Sequence, residues 1–391
     1  MAPEPTDDQS RRIASEASKE YDRVIEEFGA DRMDWETIAR FPDPVHPLLK
    51  RRIYRAGRDL ERLLEAIEGG HRISVVTGVG PSGPMHLGHL PAFALARYFQ
   101  EVVDAWVYIP VSEDEKFWTR SLTLDDIRDH AAANLRDVLA MGFDPDRTRV
   151  IIDLDDADIL YPAATAFAGE LTTSQVTAVY GAQENVGASF YPSVQAAHLL
   201  LPQLVHGPHT TVVPVGFDQD PHIRVARDIA TKARYPVQKP AALLGQFLPA
   251  LDGPGKMSSS EGEVIPLDAD PEAVEASMAD AYSGGQATVA AHRELGGDPA
   301  VDVAFQYLRY GFEPNDRRLA ALDRAYRRGE LLSGDLKQRA IERIVARLRT
   351  LEEHRPTDPI PEVLEPYRLT ERERNAARET LLDPPTLGKH G

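Results

Sequence analysis

The sequence predicts an α/β fold: a Rossmann-like parallel sheet domain that carries a helical insertion, followed by an α-helical C-terminal domain. Short apolar runs that suggest buried strands alternate with helical patterns between residues 73 and 215. This alternation is typical of a parallel sheet with helices on both faces. Strand signals stop near Asp298, which predicts that helices form the rest of the chain.

Residues 1–70 are predicted to form a helical N-terminal appendage. A helix-compatible charge spacing covers residues 10–40, and a second helical pattern covers residues 51–67. Prolines at positions 42 and 44 would separate the two helices. Gly69 and Gly70 would end the second one, because glycine suits a helix C-terminus.

The predicted sheet domain covers residues 71–297. Strands are expected at residues 73–76, 105–111, 149–154 and 210–215, and helices at residues 86–99 and from about residue 124. Residues from about 155 to 208 are mostly helical in pattern and would be an insertion between two halves of the sheet. Such sheets bind ligands at the carboxyl ends of their strands, so functional residues are expected there.

A separate helical domain is predicted for residues 298–391. Its strongest helical patterns cover residues 319–326 and 334–351, and in the second one arginines flank an apolar stripe. The tail from Pro356 contains five further prolines and is expected to pack loosely.

The composition indicates a folded protein with an acidic surface. The 391 residues carry a formal net charge of −18, and 42% of them are hydrophobic, which is ordinary for a globular protein. Only 8 of the 44 basic residues are lysine. We interpret this surface as halophilic rather than generically acidic, because a Debye length of about 3 Å in molar salt would screen the repulsion.

Composition also excludes several classes of protein. The chain contains no cysteine, which rules out disulfide scaffolds and Cys-ligated zinc or iron–sulfur sites. No apolar stretch approaches the ~20 residues that a membrane span requires, and the N-terminus has no signal-peptide core. We therefore expect a cytoplasmic protein with no membrane contact.

Two groups of polar residues resemble metal sites but are predicted not to bind metal. His206, His209 and His222 are irregularly spaced and are expected to be exposed or to lie in loops. The four aspartates between residues 153 and 158 lack the glycine and the terminal glutamate of a calcium loop, so an acidic surface is expected there.

The first candidate site is a glycine-rich turn that opens a helix. Residues 77–90, TGVGPSGPMHLGHL, follow the first predicted strand. Backbone N–H groups and the positive end of the helix dipole would converge there, as phosphate binding requires. His86 and His89 would share one helix face and donate to phosphate oxygens, while Gly88 would leave room for a flat base.

The second candidate site is a loop with the sequence KMSSS. Lys256 is followed by Met257 and by three hydroxyl side chains, those of Ser258, Ser259 and Ser260. A flexible ammonium can follow the charge that builds up on a triphosphate during displacement. A serine-rich surface turn is the alternative, but a chain with so few lysines is expected to use each one.

Together the two motifs resemble the paired signatures of class I aminoacyl-tRNA synthetases, His-x-Gly-His and Lys-Met-Ser-Lys-Ser, with Ser259 in place of the usual second lysine. From residue 28 to 351 the chain resembles the archaeal and eukaryotic type of tryptophanyl-tRNA synthetase, and the tyrosyl enzymes fit less well. The segments that carry this resemblance are residues 46–49, 77–91, 113–116, 195–197, 217–221, 247–253, 256–260, 282–285 and 292–293.

The resemblance implies a tryptophan–tRNA ligase that works in two steps. The carboxylate of L-tryptophan attacks the α-phosphorus of ATP bound to Mg2+, pyrophosphate leaves, and the terminal ribose of tRNA(Trp) then takes the acyl group. His86, His89 and Lys256 would be the catalytic residues, acting by positioning and charge.

The same resemblance assigns the binding residues and partners. Gly78, Gly80, Gly88, Met257, Ser258 and Ser259 would bind ATP. Glu115, Gln195 and Gln219 would bind the ammonium and backbone end of the amino acid, for which acceptor oxygens are suitable. A homodimer would form through the insertion. The arginine-rich C-terminal helices would either contact the tRNA anticodon or form a solvated face.

Two departures affect the amino-acid pocket. The family has a tyrosine and a glutamine that accept the indole N–H, where this chain has Val76 and Pro110. An unpaired buried N–H costs roughly 1–3 kcal/mol, so either another oxygen accepts it or the substrate preference has changed. Tyr108 and Ser112 are close in sequence. Val79 replaces a common arginine, which puts one ATP contact in question.

The sequence therefore leaves three functions open. A ligase for tryptophan is the first, and a synthetase paralogue of altered or lost amino-acid specificity is the second. A non-catalytic tRNA-binding descendant is the third, against which the intact His86, His89 and Lys256 argue. A nicotinamide-nucleotide adenylyltransferase would leave KMSSS unexplained, and the chain is too long for one.

Overall fold

A computed structural model describes residues 29–232, 234–253 and 264–382, together with Ile25. Within these residues seven strands form one sheet in the order β1-β2-β7-β6-β3-β4-β5. Five strands run parallel: β3 (Ile73–Val76), β4 (Trp106–Val111), β5 (Thr148–Ile152), β6 (Thr210–Gly216) and β7 (Ala241–Gly245). Two antiparallel strands extend the β7 edge: β1 (Asp31–Arg32) and β2 (Tyr54–Arg58). The predicted α/β class is confirmed.

Helices surround the sheet and form most of the chain beyond it. The first group comprises α1 (Trp35–Ala39), α2 (Pro47–Lys50), α3 (Leu60–Glu68), α4 (Leu90–Val103), α5 (Glu113–Thr119) and α6 (Leu124–Leu139). Between β5 and β6 lie α7 (Ala157–Ala168), α8 (Thr173–Tyr180) and α9 (Val186–His206), and α10 (Asp220–Lys232) follows β6. The C-terminal helices are α11 (Pro271–Asp280), α12 (Val289–Leu295), α13 (Val303–Tyr307), α14 (Asp316–Arg327), α15 (Ser333–His354), α16 (Ile360–Leu364) and α17 (Glu371–Leu382).

Alternate side chains of β3 pack into two apolar cores. Ile73 and Val75 face a core that contains α4 and continues into the C-terminal helices. Val76 and Tyr108 face a second core, which is built mainly from α7, α9 and α10. Burial on both faces is typical of parallel strands and explains why they are short apolar runs. In the described ranges no helix has the length and apolar character that crossing a membrane would need.

The N-terminal region is not purely helical, which corrects the prediction for residues 1–70. Residues 54–58 form β2, and α3 begins only at Leu60. Gly57 lies so close to β7 that a Cβ would come within 2.4 Å of the Ala242 carbonyl oxygen. Pairing with β7 therefore overrides the helical charge spacing of this segment. Most of the predicted helix over residues 10–40 lies outside the described residues.

The C-terminal tail also departs from expectation, because residues 360–382 are ordered helices packed on the sheet domain. α17 contacts α7 and α9, and Ala377 is fully buried. The guanidinium Nε of Arg149, in β5, donates to both carboxylate oxygens of Glu373 at 3.0 and 2.9 Å. The prolines of this tail separate or open short helices without preventing packing. Residues 383–391 lie outside the described part of the chain.

Candidate active site

The glycine-rich turn follows β3 and lies against the end of β4, as expected. The backbone N–H of Thr77 donates to the Tyr108 carbonyl at 3.1 Å, and that of Val79 donates to the Pro110 carbonyl at 3.0 Å. A Cβ on Gly78 would lie 2.2 Å from the Pro110 carbonyl oxygen, so only glycine fits there. The turn is therefore fixed at the carboxyl ends of two central strands, where such sheets bind ligands.

The two histidines of the turn lie side by side. Their ring centroids are 4.1 Å apart. His86 is not in a helix but caps the short 3-10 turn of residues 87–89, and its Nδ1 accepts the Gly88 N–H at 3.2 Å. The His86 N–H in turn donates to Nδ1 of His89 at 3.1 Å. Nδ1 of each ring therefore accepts a backbone N–H, which fixes the orientation of both imidazoles.

Lys116 is a site residue that the sequence analysis did not single out. A Cβ on Gly80 would come within 2.1 Å of the Lys116 Cε, so the lysine chain lies directly on the glycine-rich turn. Its ammonium pairs with a carboxylate oxygen of Glu115 at 2.5 Å. The signal that could have found it is its position beside Glu115 in a lysine-poor sequence. A cation and a carboxylate thus stand together at the start of α5.

The α9 residues of the candidate site form a short polar chain. The Tyr191 hydroxyl donates to Oε1 of Gln195 at 2.6 Å and lies 3.5 Å from the Ser112 hydroxyl oxygen. Burial raises the pKa of Tyr191 well above its usual value, and the carboxylate of Glu115 adds to this effect. Tyr191, a residue that sequence reasoning missed, therefore links Gln195 to Ser112, the residue directly before α5.

Gln219 lies at the end of β6, in a 3-10 turn formed by residues 217–219. Its side-chain N–H donates to Asp218 at 3.1 Å. The next residue, Asp220, is buried and accepts two hydrogen bonds from Arg58, at 2.6 and 2.7 Å. This buried ion pair fixes the start of α10 and with it the position of Gln219.

His222 of α10 lies near residues of α5 and of the turn that follows β6. Burial lowers its pKa to about 4, and Glu115, Asp218 and Lys116 are all close enough to act on it. The predicted amino-acid residues Glu115, Gln195 and Gln219 therefore belong to one region. Lys256, Met257, Ser258 and Ser259 lie outside the described residues. The chain is described again from residue 264, and the Leu87 N–H donates to the Ile265 carbonyl at 3.0 Å, directly beside His86.

The two positions that lack an indole acceptor are both buried on the second core's side of the sheet. Val76 is 1% exposed, and the Pro110 ring lies against Gly78. The Tyr108 hydroxyl bonds to Nε2 of the half-buried His206 at 3.0 Å, at the end of α9. Ser112 lies beside Tyr191, 3.5 Å from its hydroxyl, and its hydroxyl oxygen is a candidate acceptor.

The prediction that His206, His209 and His222 are exposed or lie in loops holds only in part. His209 lies in the loop before β6 but is 8% exposed, and its Nε2 lies 2.7 Å from the Ser74 hydroxyl. His206 and His222 lie in α9 and α10 and are half-buried, and Nδ1 of His222 lies 3.1 Å from the Tyr180 hydroxyl. Burial lowers the pKa of His206 to about 4 and also lowers that of His209. No group of three potential metal-ligating side chains occurs in the ranges that the structure describes.

The prediction of an acidic surface at residues 153–158 was also wrong for two of its aspartates. Asp153 and Asp156 are at most 1% exposed. Arg368 donates to Asp156 at 3.1 Å, and Arg374 bonds to the same carboxylate. The returning tail of the chain buries this loop, which is why the local sequence alone suggested a surface.

Comparison with known proteins gives concordant results. A model of the family described as tRNA synthetases class I (W and Y) matches residues 68–349. A curated relative from Halobacterium salinarum, "Tryptophan--tRNA ligase 2", is 52% identical over 93% of this chain and 94% of its own length. "Tryptophan--tRNA ligase" of Sulfolobus acidocaldarius is 39% identical over 86% and 88%. Among solved structures, "Tryptophanyl-tRNA synthetase from Giardia lamblia" has a TM-score of 0.83 at 30% identity, covering 95% of this chain and 100% of that one.

Proposed function

The chain belongs to the class I tRNA synthetases of the tryptophan and tyrosine family, and we propose that it is a tryptophan–tRNA ligase. It activates L-tryptophan with ATP and transfers the product to tRNA(Trp). One observation carries this proposal: Glu115 pairs with Lys116, which lies on the glycine-rich turn, in a chain 52% identical to a curated tryptophan–tRNA ligase.

The two sides of the site have different tasks. The carboxylate of Glu115 and the amide oxygens of Gln195 and Gln219 accept hydrogen bonds from the substrate ammonium and orient its carboxylate. Gly78 and Gly80 let the backbone come close to the nucleotide, and Gly88 leaves room for its base. Catalysis then needs positioning and charge, and no protein nucleophile.

Charge on the transferring phosphate is balanced by side chains of the turn and the loop. His86 and His89 donate through Nε2 to phosphate oxygens, and Lys256 follows the departing pyrophosphate. Met257, Ser258 and Ser259 complete the nucleotide site. Mg2+ enters bound to the ATP phosphates as part of the substrate, where it neutralises phosphate charge. The carboxylate oxygen of tryptophan forms the new bond to the α-phosphorus as the bond to pyrophosphate breaks.

A second candidate function is a paralogue with altered amino-acid specificity. The apolar side chains of Val76 and Pro110 favour it, because they offer no acceptor to an indole N–H. Ser112 and Tyr191 favour the first candidate, since their hydroxyl oxygens lie within the site and can accept that bond. The two candidates therefore differ in whether the hydroxyl of Ser112 or Tyr191 accepts a hydrogen bond from the indole N–H.

Exchange of pyrophosphate into ATP, measured in molar KCl with each of the twenty amino acids, tests the proposal. Tryptophan should give the highest kcat/KM, and charging of tRNA(Trp) should follow. Lys256→Ala should lower the exchange rate by about 100- to 1000-fold, as expected when one group stabilising transition-state charge is lost. Preference for another amino acid would establish the second candidate, and no exchange with any would refute both.

The partners and setting of the enzyme are also proposed. The exposed arginines of α14 and α15, among them Arg324, Arg339 and Arg349, offer tRNA a cationic surface on a chain of net charge −18. Replacing Arg339 and Arg349 by alanine should slow tRNA charging and leave pyrophosphate exchange unchanged. If both rates stayed at the wild-type level, tRNA would bind elsewhere.

We further propose a homodimer that works in a salt-rich cytoplasm. Val186, at the start of α9, is 85% exposed, and Phe117 of the adjacent α5 is 47% exposed, which supports a partner surface at the insertion. Val186→Glu should produce monomers in sedimentation at high salt. A wild-type protein that sediments as a monomer there would refute the dimer.

A further inference from the structure

Behind the amino-acid site lies a group of buried ionisable side chains that the proposed reaction does not use. Asp114 of α5, Asp153 after β5 and His198 of α9 are each at most 2% exposed. Tyr161 of α7 joins them through its hydroxyl. We call these four residues the buried network. It connects α5, the end of β5, α7 and α9.

Hydrogen bonds tie both ends of the network to neighbouring elements. Nε2 of His198 lies 2.8 Å from Oδ1 of Asp153, and the carboxyl groups of Asp153 and Asp114 are close enough for each to act on the pKa of the other. The Tyr161 hydroxyl donates to Oδ2 of Asp114 at 2.9 Å. Oδ1 of Asp114 accepts the backbone N–H of Glu115 at 2.6 Å. The network thus ends on the residue that we propose binds the substrate ammonium.

Burial and proximity favour one proton shared between the two carboxyls. Burial raises the pKa of both groups, and two buried carboxyls so close together oppose each other's ionisation. Oδ2 of Asp153 has no hydrogen-bond partner among the described residues, and a shared proton would supply one. Burial lowers the pKa of His198 to about 4. The neutral imidazole then donates from Nε2–H to Asp153.

Other titratable and charged groups surround the network on the elements that pack near it. The acidic ones are Glu113 and Glu115 of α5 and Asp155 and Asp156 after β5, and the neutral hydroxyl is that of Tyr191 on α9. The cations are Arg128 of α6 and, paired with Asp156, Arg368 and Arg374. A second negative charge in the network is therefore opposed by its surroundings as well as by burial. Loss of the shared proton would push the carboxyls apart.

On the basis of the proposed function, we infer that the buried network positions the amino-acid site by holding Glu115 of α5 and Gln195 of α9 at the spacing that the substrate requires. Residues 191, 195 and 198 lie on one face of α9, because they are four and seven positions apart. Anchoring His198 to Asp153 therefore also fixes Gln195. Asp114, Asp153 and His198 are positioning residues, since none of them belongs to the substrate-contacting set.

Two substitutions at Asp153 test this inference in the full-length enzyme. Asp153→Ala removes the proton donor and the acceptor for His198, and should raise the KM for tryptophan by about 10- to 100-fold, the equivalent of one lost hydrogen bond to a charged group. Asp153→Asn keeps the shape, and its amide can donate to Asp114 and accept from His198. Its KM for tryptophan should stay within about threefold of the wild type. The KM for ATP should change little in both.

Two further variants separate positioning from a general loss of stability. Tyr161→Phe removes one donor to Asp114 at the edge of the network and should raise the KM for tryptophan by a smaller factor. His209→Gln is the matched control, because His209 is a buried, hydrogen-bonded histidine at the opposite end of the strands. It should lower the melting temperature without changing the KM for tryptophan.

The pH dependence gives a readout that does not need activity. A carboxyl whose pKa is raised by folding stabilises the protein at low pH and loses this contribution as pH rises towards its folded pKa. Asp153→Asn removes one of the two carboxyls that share the proton. As pH rises from 5 to 8, the melting temperature of the variant should therefore rise relative to that of the wild type. A constant difference would show that no proton is shared.

Failure of this inference and failure of the proposed function give different results. If the wild type activates another amino acid, the KM for that substrate replaces the KM for tryptophan in every comparison. If Asp153→Ala leaves the amino-acid KM unchanged, or raises the KM for ATP equally, the network is only structural. If the wild type activates no amino acid, the melting temperatures of the wild type and Asp153→Asn can still be compared without substrate. A difference between them that is constant with pH would then overturn the shared proton.

Discussion

The buried pair of Arg149 and Glu373 should hold the C-terminal helix α17 on the sheet domain. The two side chains are 8% and 9% exposed. Glu373→Ala would leave the guanidinium of Arg149 buried over the Trp106 ring, 5.0 Å from its centroid, without its carboxylate. Breaking a buried pair on one side costs about 3–5 kcal/mol. Hydrogen exchange of the amides in residues 371–382 should accelerate by the corresponding factor, because local opening becomes easier.

A control on the same helix makes this result specific. Arg378 pairs with Asp158, but the two side chains are 40% and 47% exposed, so Arg378→Ala should cost less than about 1 kcal/mol. If Glu373→Ala and Arg378→Ala had equally small effects on exchange, the Arg149–Glu373 pair would not be what holds α17 on the sheet domain. Replacing both Arg149 and Glu373 by apolar residues should recover much of the loss.

The same pair should respond to acid. Burial alone would raise the pKa of Glu373, but hydrogen bonds from Arg149 and Thr370 outweigh burial and lower it. A carboxyl of lowered pKa contributes stability above its unfolded value, about 4.3, and loses it as pH falls through the folded pKa. Exchange of residues 371–382 should therefore accelerate below about pH 4 in the wild type and show no such step in Glu373→Gln.

Three further predictions concern the site and the surface. Gly78→Ala should lower pyrophosphate exchange at least tenfold, because its Cβ would lie 2.2 Å from the Pro110 backbone oxygen; wild-type kcat/KM would contradict the close packing of the turn. Asp220→Ala should destabilise the protein by about 3–5 kcal/mol and raise the KM for tryptophan, since it leaves Arg58 buried without its carboxylate; unchanged melting would contradict this. Raising KCl from about 0.1 M to about 2 M should raise the melting temperature by screening the net charge of −18, and a salt-independent melting temperature would refute the halophilic interpretation.

The parallel part of the fold could be predicted because each of its central strands is a β-branched apolar run followed by a helical pattern. β7, Ala241–Gly245, escaped prediction because AALLG is short and contains neither a β-branched nor an aromatic residue. β2 escaped for a different reason. Its residues YRAGR alternate poorly in polarity, and only contact with β7 and the pairing of Arg58 with Asp220 make them a strand.

The candidate site divides in the same way. His86 and His89 carry their signal locally, because a glycine-rich turn at a strand end predicts both their position and their chemistry. Lys116 carries a weaker signal, its position beside Glu115 in a lysine-poor sequence, and Tyr191 carries none. Lys116 reaches the turn because Gly80 has no side chain there. Tyr191 belongs to the site because it lies one helical turn before Gln195 on α9 and bonds to it.

The acidic loop after β5 shows why burial was the hardest property to predict. Its sequence, DLDDAD over residues 153–158, has the composition of a solvated surface. Its environment is set by residues some 200 positions away, where Arg368 and Arg374 arrive with the tail, and by His198 of α9. Burial raises the pKa of both carboxyls, but Arg368 and Arg374 oppose this rise at Asp156, whereas Asp153 faces an imidazole and other carboxyls. Two aspartates three positions apart thus have opposite electrostatic surroundings for reasons that no local pattern contains. If the Asp153→Asn and Asp156→Asn variants had the same effect on stability at every pH between 5 and 8, this distinction would be wrong.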